Sequence, residues 1–272
     1  MQNFLLEILF QISGIGAASG LIYHENSIFL ISDTSSFLYE YNIENKSVNK
    51  VKLSENSQEN AIKKEKLDFE AITLKDNKLY IFGSGSTNKR EVRFTYDLKT
   101  KESKEKDFSK VYKKIRKALS ISEDDFNIEG AIFKDEKWYF FQRGNGGTAK
   151  NGIIILDKKT NHVEFISFHL PKINDIEATF TDAVLQENTI YFLAAVENTD
   201  STYNDGEIYG SFIGSIAFDS LILISTQKIT DSKKFEGLAL YEQTDAAISF
   251  LLCEDNDTDS QNSEIYKLCF QK

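Results

Sequence analysis

Short apolar runs separated by polar turns, a phrase that recurs five times, and an N-terminal strand that belongs to no repeat while the last repeat lacks a fourth strand together predict an all-β fold. They describe a single β-propeller, residues 1–272, of five four-stranded blades. The phrase reads Ala18-Ser19-Gly20, Phe69-Glu70-Ala71, Ile128-Glu129-Gly130, Ile176-Glu177-Ala178 and Phe235-Glu236-Gly237. In four copies an apolar residue precedes Glu and a small residue follows it; in the first copy Ser replaces the Glu.

Each copy opens a strand that ends in a polar turn, such as His24-Glu25-Asn26, Lys75-Asp76-Asn77, Lys134-Asp135-Glu136 or Gln186-Glu187-Asn188. A second apolar strand follows each turn, over residues 27–31, 78–82, 138–141, 190–194 and 247–252. Third strands are read at 37–42, 92–97, 152–157, 211–218 and 264–270. Fourth strands follow at 48–53, 105–108, 163–168 and 221–227. Nothing alternates strand with helix as a parallel sheet requires, so the sheets are antiparallel.

The spacing from Ser19 through Glu70, Glu129 and Glu177 to Glu236 is 51, 59, 48 and 59 residues. Only 36 residues follow Glu236, enough for three strands. Residues 4–11 form a strand that belongs to no repeat, so they complete the last blade and close the ring, which also removes an open sheet edge. A six-bladed ring is the alternative, with a blade hidden in the long second or fourth repeat. Those repeats are long for other reasons. Residues 109–120 carry Val111, Ile115, Ala118 and Leu119 at helical spacing and form a short inserted helix, and residues 197–210 form a polar loop. Lys113, Lys114, Arg116 and Lys117 on that helix read as a solvated face.

Composition agrees with a folded chain: 41% hydrophobic, 27% charged, 14 Gly and one Pro exclude disordered and collagen-like classes. A net charge of −10 argues against nucleic acid or an anionic membrane as partner. The N-terminal stretch lacks a basic region and contains Glu7, so it reads as a strand rather than a signal peptide. With Cys253 and Cys269 as reduced core thiols, the expected setting is a cytoplasmic monomer.

In such a ring the start of strand one and the end of strand two share one face. The residues gathered there are polar: Asp33, the Gly83–Arg90 loop, Arg143-Gly144-Asn145, Glu197-Asn198 and Asp255, with the recurring Glu beside them. Glu70, Glu129, Glu177 and Glu236 are therefore expected to ring the axis. Carboxylates crowded in partial burial must be protonated, paired or bridged by a cation. Ca²⁺ suits an all-oxygen site, with Asp68, Asn127 or Asp175 as further donors. The competing reading pairs each Glu with Arg90, Arg143 or Lys234.

Weaker signals are an acidic loop at Asp255, Asp257 and Asp259, which lacks the Gly and Glu of a calcium loop, and Gly83-Ser84-Gly85-Ser86, which opens no helix and is no phosphate loop. Neither nucleotide nor haem is expected. His24, His162 and His169 fall away from the polar face, which disfavours Ser-His-Asp, Cys-His and His-ligated zinc chemistry. Catalysis there would rest on carboxylates or a metal-activated water.

The Glu-Gly and Glu-Ala phrases at Glu70, Glu129, Glu177 and Glu236, with Ser32-Asp33, resemble propellers of the esterase-like phytase type and, more distantly, the gluconolactonase (senescence-marker) type. The whole pattern, including Asn127-Ile128-Glu129-Gly130 and Arg143-Gly144-Asn145, resembles an uncharacterised bacterial propeller family. The gluconolactonase resemblance implies a divalent metal on a blade-opening Glu; Ser19 departs from that pattern. Two functions follow. One is a metal-dependent hydrolase of a small anionic ester, lactone or phosphoester, with Glu129 and Glu177 catalytic, Glu70, Glu129, Glu177 and Glu236 on the metal, and Arg90, Arg143, Asn145 and Asp33 holding substrate. The other is a propeller that binds a small molecule or protein on the same face without catalysis.

Overall fold

In the computed structural model, which describes residues 3–204, 206–255 and 261–271, each repeat folds as one antiparallel four-stranded sheet. After β1 (Phe4–Ser13), the first blade is β2 (Ala18–His24), β3 (Ser27–Ser32), β4 (Ser35–Asn42) and β5 (Ser47–Lys52). The second is β6 (Phe69–Lys75), β7 (Lys78–Gly83), β8 (Val92–Asp97) and β9 (Ser103–Asp107), followed by helix α1 (Ser109–Leu119). The third is β10 (Ile128–Lys134), β11 (Lys137–Gln142), β12 (Gly152–Asp157) and β13 (Val163–Ser167). A short hairpin, β14 (Lys172–Ile173) and β15 (Ile176–Glu177), leads to the fourth: β16 (Thr179–Gln186), β17 (Thr189–Asn198), β18 (Glu207–Ala217) and β19 (Ile222–Thr230). The last is β20 (Phe235–Gln243), β21 (Ala247–Glu254) and β22 (Asn262–Gln271).

β1 pairs with β22, from Phe4 opposite Phe270 to Ser13 opposite Asn262, so the termini build the fifth blade together. The inner strands β2, β6, β10, β16 and β20 pack one against the next, and β20 returns to β2. The ring therefore closes at five blades.

Each interface between adjacent blades holds its own apolar cluster, which is why the middle strands are apolar on both faces. Aromatic rings dominate: Phe180 meets Phe141, Phe168 and Phe192 edge-on, with centroids 5.3, 5.6 and 5.0 Å away. Two-residue turns join the inner hairpins, with positive φ at Glu25-Asn26, Asp76-Asn77 and Asp135-Glu136. α1 covers the interface of blades two and three. Tyr112 donates to Gly83 O at 2.8 Å, and Arg116 is buried against Glu91 at 2.6 Å rather than lying on a solvated face. Among the described residues no helix is long and apolar enough to cross a membrane. Both cysteines are free, as expected, with Cys253 buried and Cys269 half-buried.

Candidate functional site

The local geometry that aims side chains at the axis is a β-bulge near the start of each inner strand. Pairing with the second strand slips between Ala18 and Gly20, Phe69 and Ala71, Ile128 and Gly130, Phe180 and Asp182, and Phe235 and Gly237. The residue inside each bulge is Ser19, Glu70, Glu129, Thr181 or Glu236. Three glutamates therefore reach the axis, not four, which corrects the expectation for Glu177. Glu177 lies on the β14–β15 hairpin, where its Oε1 accepts from Leu170 N at 2.9 Å and lies 3.3 Å from His169 Nδ1. Asp175 sits in the turn of the same hairpin, with φ 65°. The two hydroxyls at bulges lock neighbouring blades: Ser19 donates to Phe69 O, and Thr181 to Phe235 O at 2.6 Å.

The residue after each bulge is small because space is scarce. A Cβ on Gly237 would fall 2.4 Å from Cys253 Sγ and 3.0 Å from Leu21 N. In the fourth blade that place belongs to Asp182, whose buried carboxylate accepts from Ala183 N and Leu238 N, each at 2.7 Å. Burial holds it well above the usual carboxylate range despite those two bonds.

On the polar face the bulge residues and the loops after the second strands enclose a cavity of about 280 Å³. Asp33, Arg90, Arg143 and Asn145 all line it, as expected, together with Asp68, Asn127, Glu197, Lys234 and Asp255. No histidine does. Among the described lining residues acids outnumber bases by two.

The polar groups divide into two networks. Around Arg143, Nη1 lies 3.3 Å from Glu129 Oε1 and 3.8 Å from Glu236 Oε1, and Nη2 donates to Glu197. Lys234 Nζ is 2.8 Å from Glu236 and 3.1 Å from Asp255. Asn127 Nδ2 donates to Glu129 Oε1 at 2.7 Å. Burial lowers the proton affinity of Arg143, but Glu129, Glu197 and Glu236 outweigh that effect and raise it above the usual guanidinium range. For these glutamates the pairing reading holds. Burial still raises Glu129 and Glu236 above the usual carboxylate range, against the pull of Arg143 and Lys234.

The second network is less balanced. Lys66 Nζ bridges Asp33 Oδ2 at 2.5 Å and Asp68 Oδ1 at 2.8 Å. Arg90 Nη1 reaches Asp68 Oδ2 at 2.8 Å and Ser86 Oγ at 2.7 Å, and its guanidinium lies 5.4 Å from the Tyr203 ring centroid. Oxygens of Asp33, Asp68 and Glu70 lie within 4.8 Å of one another. Glu70 is 9% exposed, yet its Oε2 has no hydrogen-bond partner; nor have Asp33 Oδ1 and Glu129 Oε2. Burial pushes Glu70 well above the usual range, and the charges of Glu129, Asp68, Glu236 and Asp33 push it further.

Glu197, at a polar second-strand end on this face, lines the cavity as expected, whereas Lys66 has no counterpart among the sequence expectations. Lys66 lies in an irregular stretch with no motif. Thr181 carried a usable signal: four of the five bulge residues stand six positions before a left-handed turn residue, as in Ser19–Glu25, Glu70–Asp76, Glu129–Asp135 and Thr181–Glu187. Asp255 lines the cavity, whereas Asp257 and Asp259 of the acidic loop lie outside the described residues.

A family model described as a family of unknown function, DUF6929, matches residues 14–269. The chain belongs to that family. No curated protein matches the sequence. Among solved structures, the DUF6929 chain is similar to the major allergen Mala s 1 of Malassezia sympodialis, with 13% identity, TM-score 0.58 and 95% of each chain covered. It is also similar to glutaminyl cyclase of Myxococcus xanthus, with 10% identity, TM-score 0.54 and coverage of 100% and 99%. A third is the PQQ-bound aldose sugar dehydrogenase of Streptomyces coelicolor, with 10% identity, TM-score 0.54 and 98% of each chain covered. At such identities the likeness bears on the fold alone. Propellers of this shape host several chemistries, so function has to be argued from the cavity.

Proposed function

We propose that the axial cavity of this DUF6929 protein is a divalent-cation site serving the hydrolysis of a small ester or lactone. The observation that carries this reading is the unpartnered, buried Glu70 Oε2 beside Asp33 and Asp68, their oxygens within 4.8 Å of one another. The donors are all hard oxygens, which suit Ca²⁺ or Mg²⁺, and one divalent ion would cancel the excess of two acids along the wall. Such an ion would polarise a carbonyl oxygen and ease deprotonation of water.

The chain's own groups then divide the work. Asp33, Asp68 and Glu70 would hold the cation. Glu129 has a free Oε2 in the same cavity and a proton affinity raised by burial, the direction that general acid–base work calls for. Arg143 fixes the Glu129 carboxylate through Oε1, leaving Oε2 for the substrate or its water. Asn127 and Asn145 offer neutral hydrogen-bonding groups at the wall. Arg90 and Arg143 are committed to carboxylates in the ring, so they do not serve as the free anion clamp expected from the sequence. An acidic wall with committed arginines favours a neutral or singly charged ester or lactone over a phosphoester. The volume of about 280 Å³ lies below the roughly 300–1,000 Å³ of drug-sized sites, so the substrate is small.

Calorimetric titration with CaCl₂ and MgCl₂, paired with a panel of small esters and lactones, tests the reading. Wild-type protein should bind one ion per chain, and hydrolysis should depend on that ion and on Glu129. No heat of binding and no ion-dependent turnover would refute it. The non-catalytic reading is favoured by one observation: Glu129 and Glu236 also tie blades three and five together through Arg143. Ion binding without turnover of any panel member would select it.

A further inference from the structure

The cation site proposed above already holds a cation of the protein's own. Lys66 Nζ lies within 2.8 Å of both Asp33 and Asp68, two of the three acids in the candidate triad, and its side chain is 12% exposed. Lys66 belongs to no strand or helix. It lies in the irregular connection, residues 53–68, that runs from the first blade to the second, and within it Ala61, Lys63 and Lys66 line the cavity.

The same stretch has further attachments among the described residues. Ala61 N donates to Thr34 O at 2.8 Å, and Arg90 Nη2 donates to Lys63 O at 3.4 Å. Lys63 Nζ lies 4.8 Å from the Tyr203 ring centroid, and Lys89 pairs with Glu65 where both side chains are half-exposed. The bonds from Glu65 N and Lys66 N go back to Ile62 O, within the stretch, and Ile62 is 69% exposed. The buried ammonium of Lys66 is thus an anchor of this stretch to the ring.

Resting on the cation-site reading, we infer that residues 61–66 are a tethered strap whose Lys66 ammonium competes with a divalent cation for Asp33 and Asp68. Lys66 Nζ already occupies Asp33 Oδ2 and Asp68 Oδ1, with Arg90 on Asp68 Oδ2, so an ion entering the triad meets strong like-charge repulsion and competes with Lys66 for these carboxylates. Ion binding therefore expels Lys66 and loosens the strap, and the mouth of the cavity widens as the site fills. The tether also sets affinity: the ion binds only the fraction of molecules in which Lys66 has left, so its apparent dissociation constant is raised in inverse proportion to that fraction. A free lysine-like amine would be a weak competitor; a tethered one acts at high effective concentration.

The test uses the full chain and CaCl₂. Lys66→Met removes the ammonium and keeps the bulk of the side chain, and Lys66→Gln serves as a second variant; thermal melts in EDTA establish that each is folded. Both variants should bind Ca²⁺ about tenfold or more tightly than wild type, the change expected if the bridged state accounts for nine molecules in ten or more. In wild type, saturating Ca²⁺ should speed amide hydrogen exchange in residues 61–66 while the strands around the axis are protected. Tight binding by the variants with none by wild type would also support the competition. Unchanged or weaker binding by folded variants, or Ca²⁺ that slows exchange in the strap, overturns the strap while leaving the cation site intact. Failure of wild type and both variants to bind overturns the cation site and the strap with it.

Discussion

Replacing Glu70 by Gln should make the ion-free protein more stable, because the Glu70 carboxylate is buried with an unpartnered oxygen among other acids. Glu70 is 9% exposed, its Oε2 accepts no hydrogen bond, and the charges of four nearby carboxylates push its proton affinity up beyond the effect of burial. An unsatisfied buried polar group costs about 1–3 kcal/mol, more when charged, and Gln replaces it with a neutral group of equal size that can donate to the surrounding acids. In EDTA at pH 7, Glu70→Gln should therefore gain about 1–3 kcal/mol in urea unfolding, or roughly 2–4 °C in melting temperature per kcal/mol.

The pH dependence has a definite sign. A carboxyl whose folded pKa is raised releases its proton first in the unfolded chain. Its ionisation erodes stability as pH rises from the unfolded value, about 4.3, toward the raised folded one. The advantage of Glu70→Gln should accordingly be largest at high pH and close toward pH 4. With saturating Ca²⁺ the order should reverse, since wild type gains binding energy that the variant has lost. A variant less stable than wild type in EDTA at pH 7, or a gap that does not change with pH, would refute the reasoning.

Other substitutions separate the roles of neighbouring residues. Arg143→Met strands Glu129, Glu197 and Glu236 in the interior, and urea unfolding should show a loss of about 3–5 kcal/mol. Thr181→Val removes the bond to Phe235 O between blades four and five; it should cost about 1–2 kcal/mol by the same assay and leave calcium titration unchanged. Glu177→Ala should leave cation affinity and any ion-dependent hydrolysis at wild-type levels, since Glu177 sits on the β14–β15 hairpin away from the cavity; a loss of either would return it to the site.

The fold was legible because repetition compounds weak signals. Each hairpin alone is an ordinary run of alternating residues, but five copies of the phrase, a strand left over at residues 4–11 and a three-stranded remainder after Glu236 leave one way to close the ring. The face carrying the site was legible for the same reason, through Asp33, Arg90, Arg143 and Asn145 at the ends of second strands. The assignment of Glu177 failed because Glu-Ala matches the phrase while position within the blade does not. The bulge, a property of strand pairing, decides which side chain meets the axis, and it selects Thr181. Lys66 was invisible for a different reason: its partners Asp33 and Asp68 belong to different blades, and only the closed ring brings all three together.

The cation site itself is tested most directly by anomalous diffraction from crystals grown with MnCl₂, in wild type and in Glu70→Gln. Wild type should show one strong peak at about 2.0–2.6 Å from oxygens of Asp33, Asp68 and Glu70, with Lys66 Nζ displaced from both aspartates, and Glu70→Gln should show none. A wild-type cavity without a peak at saturating Mn²⁺, its Lys66 still bridging Asp33 and Asp68, would contradict the site.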